Sequence, residues 1–177
     1  MRYAMAIDTK KCIGCADCVL ACNMENQIPE GFTRSWVVEM AKGEYPDTML
    51  EFRSERCNHC ENAPCVRCCP TGASFTTEGG IVLVDESKCI GCAACVESCP
   101  YDARFMHPDG YADKCTFCYH LVSEGQNPAC VDVCPTKCIY FGDLDDADSE
   151  ISKIVETRKS KVLLPEAGTN PHIFYLT

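Results

Sequence analysis

The apolar residues of this chain gather in short runs that predict small β-strands. Three such runs are Ser74–Thr76, Arg104–Met106 and Ile139–Phe141. A fourth run, Ile81–Val84, follows a turn at Glu78-Gly79-Gly80 and predicts the second strand of a hairpin.

Other stretches predict a helix and an additional strand pair. Residues 16–26 have apolar positions suited to a short helix. Between Gln27 and Arg56, the runs Trp36–Val38 and Met49–Phe52 predict an inserted pair of strands.

The C-terminal segment changes in composition after Asp143. Acidic residues up to Glu150 precede an apolar stretch, and basic residues follow it from Arg158 onward. This charge order favours one C-terminal helix. The last apolar run, Ile173–Leu176, predicts an extended arm that either wraps a partner subunit or covers its own domain.

Cysteine changes the picture, because it supplies 18 of the 177 residues. Sixteen of these fall into four groups that each begin with the spacing C-x2-C: Cys12, Cys15, Cys18 and Cys22; Cys57, Cys60, Cys65 and Cys69; Cys89, Cys92, Cys95 and Cys99; Cys115, Cys118, Cys130 and Cys134. Three groups end in Cys-Pro before one of the short strands, so the groups form an internal repeat. The third group has the ligand spacing that is typical of bacterial 4Fe-4S ferredoxins.

Other uses of so many thiols fit the sequence less well. Disulfides need an oxidising compartment, and no apolar leader precedes Cys12. Structural zinc also uses C-x2-C pairs, but tight C-x2-C-x2-C triplets followed by C-x3-C-P are unusual for zinc. The sequence therefore predicts four 4Fe-4S clusters.

In ferredoxins of this spacing the fourth cysteine binds the neighbouring cluster, so the groups must pair. The order along the chain favours a nested pairing of group one with four and of group two with three, over one with two and three with four. The nested pairing predicts four ligand sets: site A (Cys12, Cys15, Cys18, Cys134), site B (Cys22, Cys115, Cys118, Cys130), site C (Cys57, Cys60, Cys65, Cys99) and site D (Cys69, Cys89, Cys92, Cys95).

A few neighbouring residues have simpler interpretations. Cys68 lacks the ligand spacing, and Cys138 occupies the repeat position of Ala73 and Ala103, which favours a small buried residue. His59 is expected in a solvent-exposed loop, with a hydrogen bond to a cluster as the alternative. The lysines before three groups are expected on the surface, or else they offset cluster charge: Lys11, Lys88 and Lys114.

The charge pattern excludes some functions. The formal net charge is -10, with 26 acidic and 16 basic residues, which argues against nucleic-acid binding. No apolar run reaches the roughly 18 residues of a membrane span, so membrane association is expected only through a partner. No phosphate loop, carboxylate pair or Ser/His/Asp order suggests a substrate site, so no catalytic residue is predicted.

These observations predict an α+β protein with two nested ferredoxin-like modules of two clusters each. One module contains residues 1–26 and 107–142, and the other contains residues 53–106. Residues 27–52 form the inserted strands, and residues 143–177 form the C-terminal helix and arm.

The sequence also resembles the iron-sulfur electron-transfer subunits of molybdopterin oxidoreductases, most closely those of the polysulfide reductase type. The resemblance covers nearly the whole chain and is carried by Arg2–Asp8, Gly43–Pro46, Cys60–Asn62, Cys69–Ser74, Cys99–Arg104, Lys114–Cys118 and Phe141–Leu144.

This resemblance implies a relay of single electrons between a molybdenum or tungsten bis-pterin subunit and a quinone-reactive membrane subunit. It further implies a location peripheral to the cytoplasmic membrane, on the periplasmic face, with sites C and D nearer the membrane partner. The same relay in a hydrogenase or formate dehydrogenase complex, and a stand-alone polyferredoxin, remain open alternatives.

Overall fold

Short helices and strands form an α+β architecture in the computed structural model, which describes residues 1–177. The strands are β1 (Tyr3–Asp8), β2 (Ser35–Lys42), β3 (Met49–Arg56), β4 (Ser74–Thr76), β5 (Val82–Val84), β6 (Phe105–Met106), β7 (Ala112–Asp113), β8 (Ile139–Asp143), β9 (Ser160–Lys161) and β10 (Ile173–Leu176). The helices are α1 (Asp17–Glu25), α2 (Pro64–Arg67), α3 (Ala94–Glu97), α4 (Tyr119–Val122), α5 (Ala129–Asp132) and α6 (Glu150–Thr157).

A four-stranded sheet joins the two ends of the chain in the order β8-β1-β10-β9. Strand β1 pairs antiparallel with β8 and parallel with β10, and β10 pairs antiparallel with β9. Because β8 directly follows the fourth cysteine group and β1 directly precedes the first, this pairing brings those two groups together in space.

Three two-stranded hairpins complete the strand content: β2-β3, β4-β5 and β6-β7. The strands predicted at Ser74–Thr76 and Ile139–Phe141 are present, and the predicted strand pair between residues 27 and 56 is the β2-β3 hairpin. This hairpin extends to Arg56, past the predicted end at residue 52, and the β6-β7 hairpin crosses the boundary predicted at residue 106.

The third cysteine of each group lies in a short helix, so the repeat in the sequence is also a repeat of backbone structure. Helices α1 and α3 both start after an alanine in the left-handed region, Ala16 with φ 63° and Ala93 with φ 58°. This shared, unfavourable conformation turns the chain sharply out of each cysteine loop and into a helix.

The C-terminal helix and arm pack on their own domain. Helix α6 starts at the Ser149 cap, whose hydroxyl accepts a hydrogen bond from the Ser152 amide at 3.2 Å. Its Ile151 packs with Ala4 and Leu176 in a small apolar cluster. Strand β10 of the arm lies between β1 and β9 in the four-stranded sheet, so the arm covers its own domain and does not extend toward a partner subunit.

The main core depends on cysteine as much as on aliphatic side chains. Six of its fifteen buried residues are cysteines: Cys18, Cys57, Cys115, Cys130, Cys134 and Cys138. Whatever binds these thiols is therefore part of the core.

No helix is both long enough and apolar enough to span a lipid bilayer.

The C-terminal strand should contribute strongly to stability. Leu176 is fully buried, whereas Leu50 at the tip of the β2-β3 hairpin is 61% exposed. We expect Leu176→Ala to lower the free energy of unfolding by about 2–5 kcal/mol, because it leaves a cavity in the sheet core. Leu50→Ala should change it by less than about 0.5 kcal/mol. Anaerobic urea unfolding followed by circular dichroism measures both, and equal losses would contradict the central position of β10.

Candidate iron-sulfur centres

The cysteines assigned to site A line one cavity. Its walls include all four of them, Cys12, Cys15, Cys18 and Cys134. The cavity has about 320 Å³ of space between protein atoms, part of it open to solvent. Three thiols come from the loop and first turn after β1, and Cys134 comes from the end of the fourth group.

The cysteines assigned to site B line a second cavity of the same size. Cys22, Cys115, Cys118 and Cys130 all contribute to its walls, around about 320 Å³ of space. Burial is the main cause that raises the pKa of Cys22 to about 11, and the Cys130 thiol raises it further. Three thiols again come from one group and one from another.

At site C the thiols act on one another electrostatically. Burial is the main cause that raises the pKa of Cys60 to about 12, and the thiols of Cys57, Cys65 and Cys99 raise it further. The same cysteines therefore lie together, with Cys99 supplied by the third group.

The site D cysteines are distributed more loosely. Cys95 is buried in an apolar cluster that also contains Cys65, and Cys89 packs against this cluster. The Cys69 sulfur accepts a hydrogen bond from the Ser74 amide at 3.4 Å. Cys92 is exposed.

Two glycines allow the tight C-I-G-C loops of the first and third groups. Gly14 has φ +72° and Gly91 has φ +69°. A Cβ atom on Gly91 would lie 2.6 Å from the Gly110 carbonyl oxygen, so both the backbone conformation and the available space favour glycine there.

Two buried arginines contact the thiols, and sequence reasoning did not identify them. Arg56 Nη1 donates to Cys130 Sγ at 2.9 Å, and Arg104 Nη2 donates to Cys65 Sγ at 2.9 Å. The sequence signals are weak: Arg56 directly precedes Cys57, and Arg104 ends one of the segments that carry the resemblance.

Burial acts to lower the pKa of both arginines, but nearby thiols outweigh it and raise the pKa. Arg56 Nε and Arg104 Nε and Nη1 are buried without a hydrogen-bond partner in the protein. Buried donors need acceptors, and the sulfides of a cluster would provide them, so these side chains fit the group that the thiols imply.

Two expectations for neighbouring residues were wrong. His59 is fully buried rather than solvated, because its ring stacks on Phe117 with centroids 3.7 Å apart and its Nδ1 accepts from the Val82 amide at 3.1 Å. Lys114 is only 1% exposed, and its ammonium donates to the carbonyl oxygens of Val82 and Cys115. Lys11 and Lys88 are exposed.

The two remaining cysteines differ in their surroundings. Cys138 is buried, as expected, but it also lines the site A cavity, with its sulfur 3.5 Å from that of Cys134. Cys68 is half-buried, and its sulfur lies 3.2 Å from Ser98 Oγ.

The thiols do not converge as a single metal ion requires. A tetrahedral zinc site with bonds of about 2.3 Å needs sulfurs within about 4 Å of one another. The structure has no group of three or more Cys, His, Asp or Glu side chains arranged to hold one ion.

Comparison with known sequences identifies the same kind of centre. Two sequence families described as 4Fe-4S dicluster domains match the chain, one over residues 48–144 and the other over residues 11–74. The two matches overlap in the second cysteine group, so they draw no boundary between modules. Fold and thiols thus define a ferredoxin-type iron-sulfur protein.

Several reductase subunits are similar over most of their length. A tetrathionate reductase subunit of Salmonella typhimurium is 46% identical over 99% of this chain and 72% of its own. The thiosulfate reductase electron transfer subunit PhsB of Salmonella typhi is 49% identical over 83% of this chain and 79% of its own. The arsenate respiratory reductase iron-sulfur subunit ArrB of Shewanella sp. (strain ANA-3) is 34% identical over 99% and 96%, respectively.

The chain belongs to the family of iron-sulfur electron-transfer subunits of molybdopterin oxidoreductases. It is an electron-transfer subunit of an anaerobic respiratory reductase complex and not the catalytic subunit. This confirms the resemblance, the predicted role as an electron-transfer subunit and the kind of cofactor, 4Fe-4S clusters.

A pair of glycine substitutions tests the loop geometry. Gly72 has φ +67° but no atom within 4 Å of the position that a Cβ would take, whereas Gly91 combines a similar φ with the close Gly110 carbonyl. We expect Gly91→Ala to reduce iron per chain, because the loop must shift away from backbone that cannot yield. Gly72→Ala should keep the wild-type iron content at a cost of about 1–2 kcal/mol. Iron and protein assays measure the iron content per chain, and a wild-type iron content in Gly91→Ala would contradict the expected clash with the Gly110 carbonyl.

Proposed function

We propose that the chain holds four 4Fe-4S clusters, one at each of sites A to D, and relays single electrons between a molybdenum or tungsten bis-pterin catalytic subunit and a quinone-reactive membrane subunit. One-electron exchange is the chemistry that the clusters supply. The protein holds them at fixed positions, limits their contact with water and sets their potentials.

The observation that carries this proposal is the composition of the two cavities. Each combines three thiols of one group with one thiol from a group about a hundred residues away in sequence, and Cys138 also lines the site A cavity. Cys134 joins the first group, and Cys22 joins the fourth. This reciprocal exchange supports the nested pairing of group one with group four, and the proximity of Cys99 to Cys60 supports the pairing of two with three.

The electrostatic effects of the thiols support a row of sites in the order A, B, C, D. Burial is the largest influence on the pKa of Arg56 and acts to lower it, whereas the thiols of Cys130 (site B) and Cys18 (site A) both raise it, which links B with A. Cys115 and Cys57 interact, although burial is the main cause that raises the pKa of Cys115, and this links B with C. Burial acts to lower the pKa of Arg104, whereas the thiols of Cys65 (site C) and Cys95 (site D) both raise it, which links C with D.

The burial of the cysteines agrees with such a row. All four site B cysteines are buried, as are three of the four at site C. At the ends, Cys15 of site A and Cys92 of site D are exposed. An electron can enter or leave only where a site approaches the surface, so we assign the two ends to the two partners.

Apolar residues mark both ends as docking surfaces. Ile13 beside Cys15 is 58% exposed, and Ile90 beside Cys92 is 66% exposed. Both occupy the second position of a C-I-G-C loop. A partner that covers either isoleucine would exclude water from the adjacent site, and we assign the site D end to the membrane subunit.

With these partners, the chain is a peripheral component at the cytoplasmic membrane, on the periplasmic face. The relatives are named for tetrathionate, thiosulfate and arsenate reductases, so their chemistry differs while the electron-transfer subunit stays similar. The terminal substrate therefore belongs to the catalytic partner.

Iron analysis of three proteins tests the ligand sets. Anaerobically purified wild type should contain about sixteen iron atoms and matching sulfide per chain. Cys92→Ser should damage one cluster and lose up to about four iron atoms, because serine is a poor ligand for this iron. Cys68→Ser is the matched control and should retain all of them, since Cys68 contacts Ser98 and a backbone carbonyl. Equal iron in the two variants would refute the assignment.

Affinity purification from the native membrane tests the partners. A pterin-containing large subunit and a quinone-reactive membrane subunit should co-purify with the chain. A nickel-iron subunit would instead identify a hydrogenase complex, and a free monomer would identify a stand-alone polyferredoxin. Ile90→Glu should reduce recovery of the membrane subunit, while Ile13→Glu should reduce recovery of the catalytic subunit. Retention of both partners by both variants would exclude these docking surfaces.

A further inference from the structure

A buried arginine connects sites A and B through one serine. Arg56 is 1% exposed, and its Nη1 donates to Cys130 Sγ of site B at 2.9 Å. Its Nη2 donates to Ser54 Oγ. The same hydroxyl lies 3.3 Å from Cys18 Sγ of site A, so a continuous chain of hydrogen bonds joins thiols of two sites.

A second buried arginine connects sites C and D through one serine, here through both its hydroxyl and its backbone amide. Arg104 is 4% exposed, and its Nη2 donates to Cys65 Sγ of site C at 2.9 Å and to Ser74 Oγ at 2.8 Å. The Ser74 amide donates to Cys69 Sγ of site D at 3.4 Å. Again one guanidinium and one serine join thiols of two sites.

The internal repeat does not explain this match. Arg56 ends strand β3 of the inserted hairpin, whereas Arg104 follows the Cys99-Pro100 motif and precedes β6. In the repeat, Arg104 corresponds to Ser74, its own hydrogen-bond partner. Different elements therefore deliver the same arrangement to both pairs of sites.

Neither guanidinium pairs with a carboxylate, because every salt bridge of the chain involves other cations. A buried cation without a counter-ion is costly, so the negative charge that stabilises it must lie at the thiols and what they bind. Arginine keeps its charge throughout the physiological pH range. Arg56 and Arg104 thus place a fixed positive charge within each pair of sites.

We propose that Arg56 and Arg104 are positioning residues that set the reduction potentials of two clusters at once, Arg56 for sites A and B and Arg104 for sites C and D. Reduction adds one negative charge to a cluster, and a nearby buried cation stabilises that added charge. Because each cation contacts a thiol of one site directly and reaches the other site through one serine, the two potentials in a pair move together. This inference rests on the proposed four-cluster function.

Redox titration of fully loaded protein tests the proposal. Arg104→Gln should make reduction of two of the four clusters at least tenfold less favourable at a given poise, a shift of about 59 mV for a one-electron couple. Arg56→Gln should shift the other two. Arg67→Gln removes an exposed cation between Cys65 and Cys69, and it should change the reduction equilibrium of each of the four clusters by less than threefold. Arg104→Lys should keep most of the wild-type potential, because it keeps the charge.

The readout is electron paramagnetic resonance at poised potentials, with iron counted on each sample. Shifts no larger than those of Arg67→Gln, or the same clusters moved by Arg56→Gln and Arg104→Gln, would overturn the proposal. If a glutamine variant loses iron, Arg56→Lys and Arg104→Lys decide, since each keeps the positive charge but changes the hydrogen bonds. Each should keep the reduction of its own pair of clusters within threefold of wild type, and a tenfold shift in either would equally overturn the proposal. A wild-type iron content far below about sixteen would contradict the proposed function instead.

Discussion

The structure depends on cysteine thiols that are gathered in groups from distant parts of one chain. The main core is small, and six of its fifteen buried residues are cysteines, so aliphatic packing alone has little surface with which to hold the fold. Burial raises the pKa of thiols such as Cys22 and Cys60, which favours their protonated form until a metal displaces the proton. We therefore expect cluster binding and folding to be coupled. The ends of the chain contribute the remaining support, because β10 lies beside β1 in the centre of the only four-stranded sheet.

Charge has a different distribution inside and outside the protein. The sequence carries a formal net charge of -10, and each oxidised cluster with four thiolates adds about -2 more. Against this acidic background, the chain buries Arg56, Arg104 and Lys114 close to the thiols. Cations in these positions lower the electrostatic cost of gathering many thiolates in one small protein, because the surrounding medium screens them weakly.

The repeat and the insertion have separate roles. The repeated loop, short helix and strand supply the thiols, and the left-handed residues Ala16 and Ala93 show that the first and third groups share the same backbone turn. The inserted β2-β3 hairpin contains no cysteine, yet it places Ser54 and Arg56 against the thiols of Cys18 and Cys130. Although the insertion has no cysteine, it thus contributes to the polar environment of the thiols. The same hairpin also supplies Phe52, and a Cβ atom on Gly14 would lie 2.4 Å from its ring, so one of the two would have to shift.

The sequence by itself determined the cysteine groups, the kind of cofactor and the family, because cluster binding needs a specific spacing of thiols that few other functions use. It also determined most of the small strands, such as β4 and β8, whose apolar runs follow each Cys-Pro directly. Only the tertiary structure decided that the arm is an inner strand, that His59 and Lys114 are buried, and that Arg56 and Arg104 contact thiols. The physical reason is that ligand spacing is a local property of the chain, whereas the burial of a charged side chain depends on partners far away in sequence. A lysine or arginine beside a cysteine has the same local pattern whether it points to solvent, as Lys88 does, or into the core, as Lys114 does.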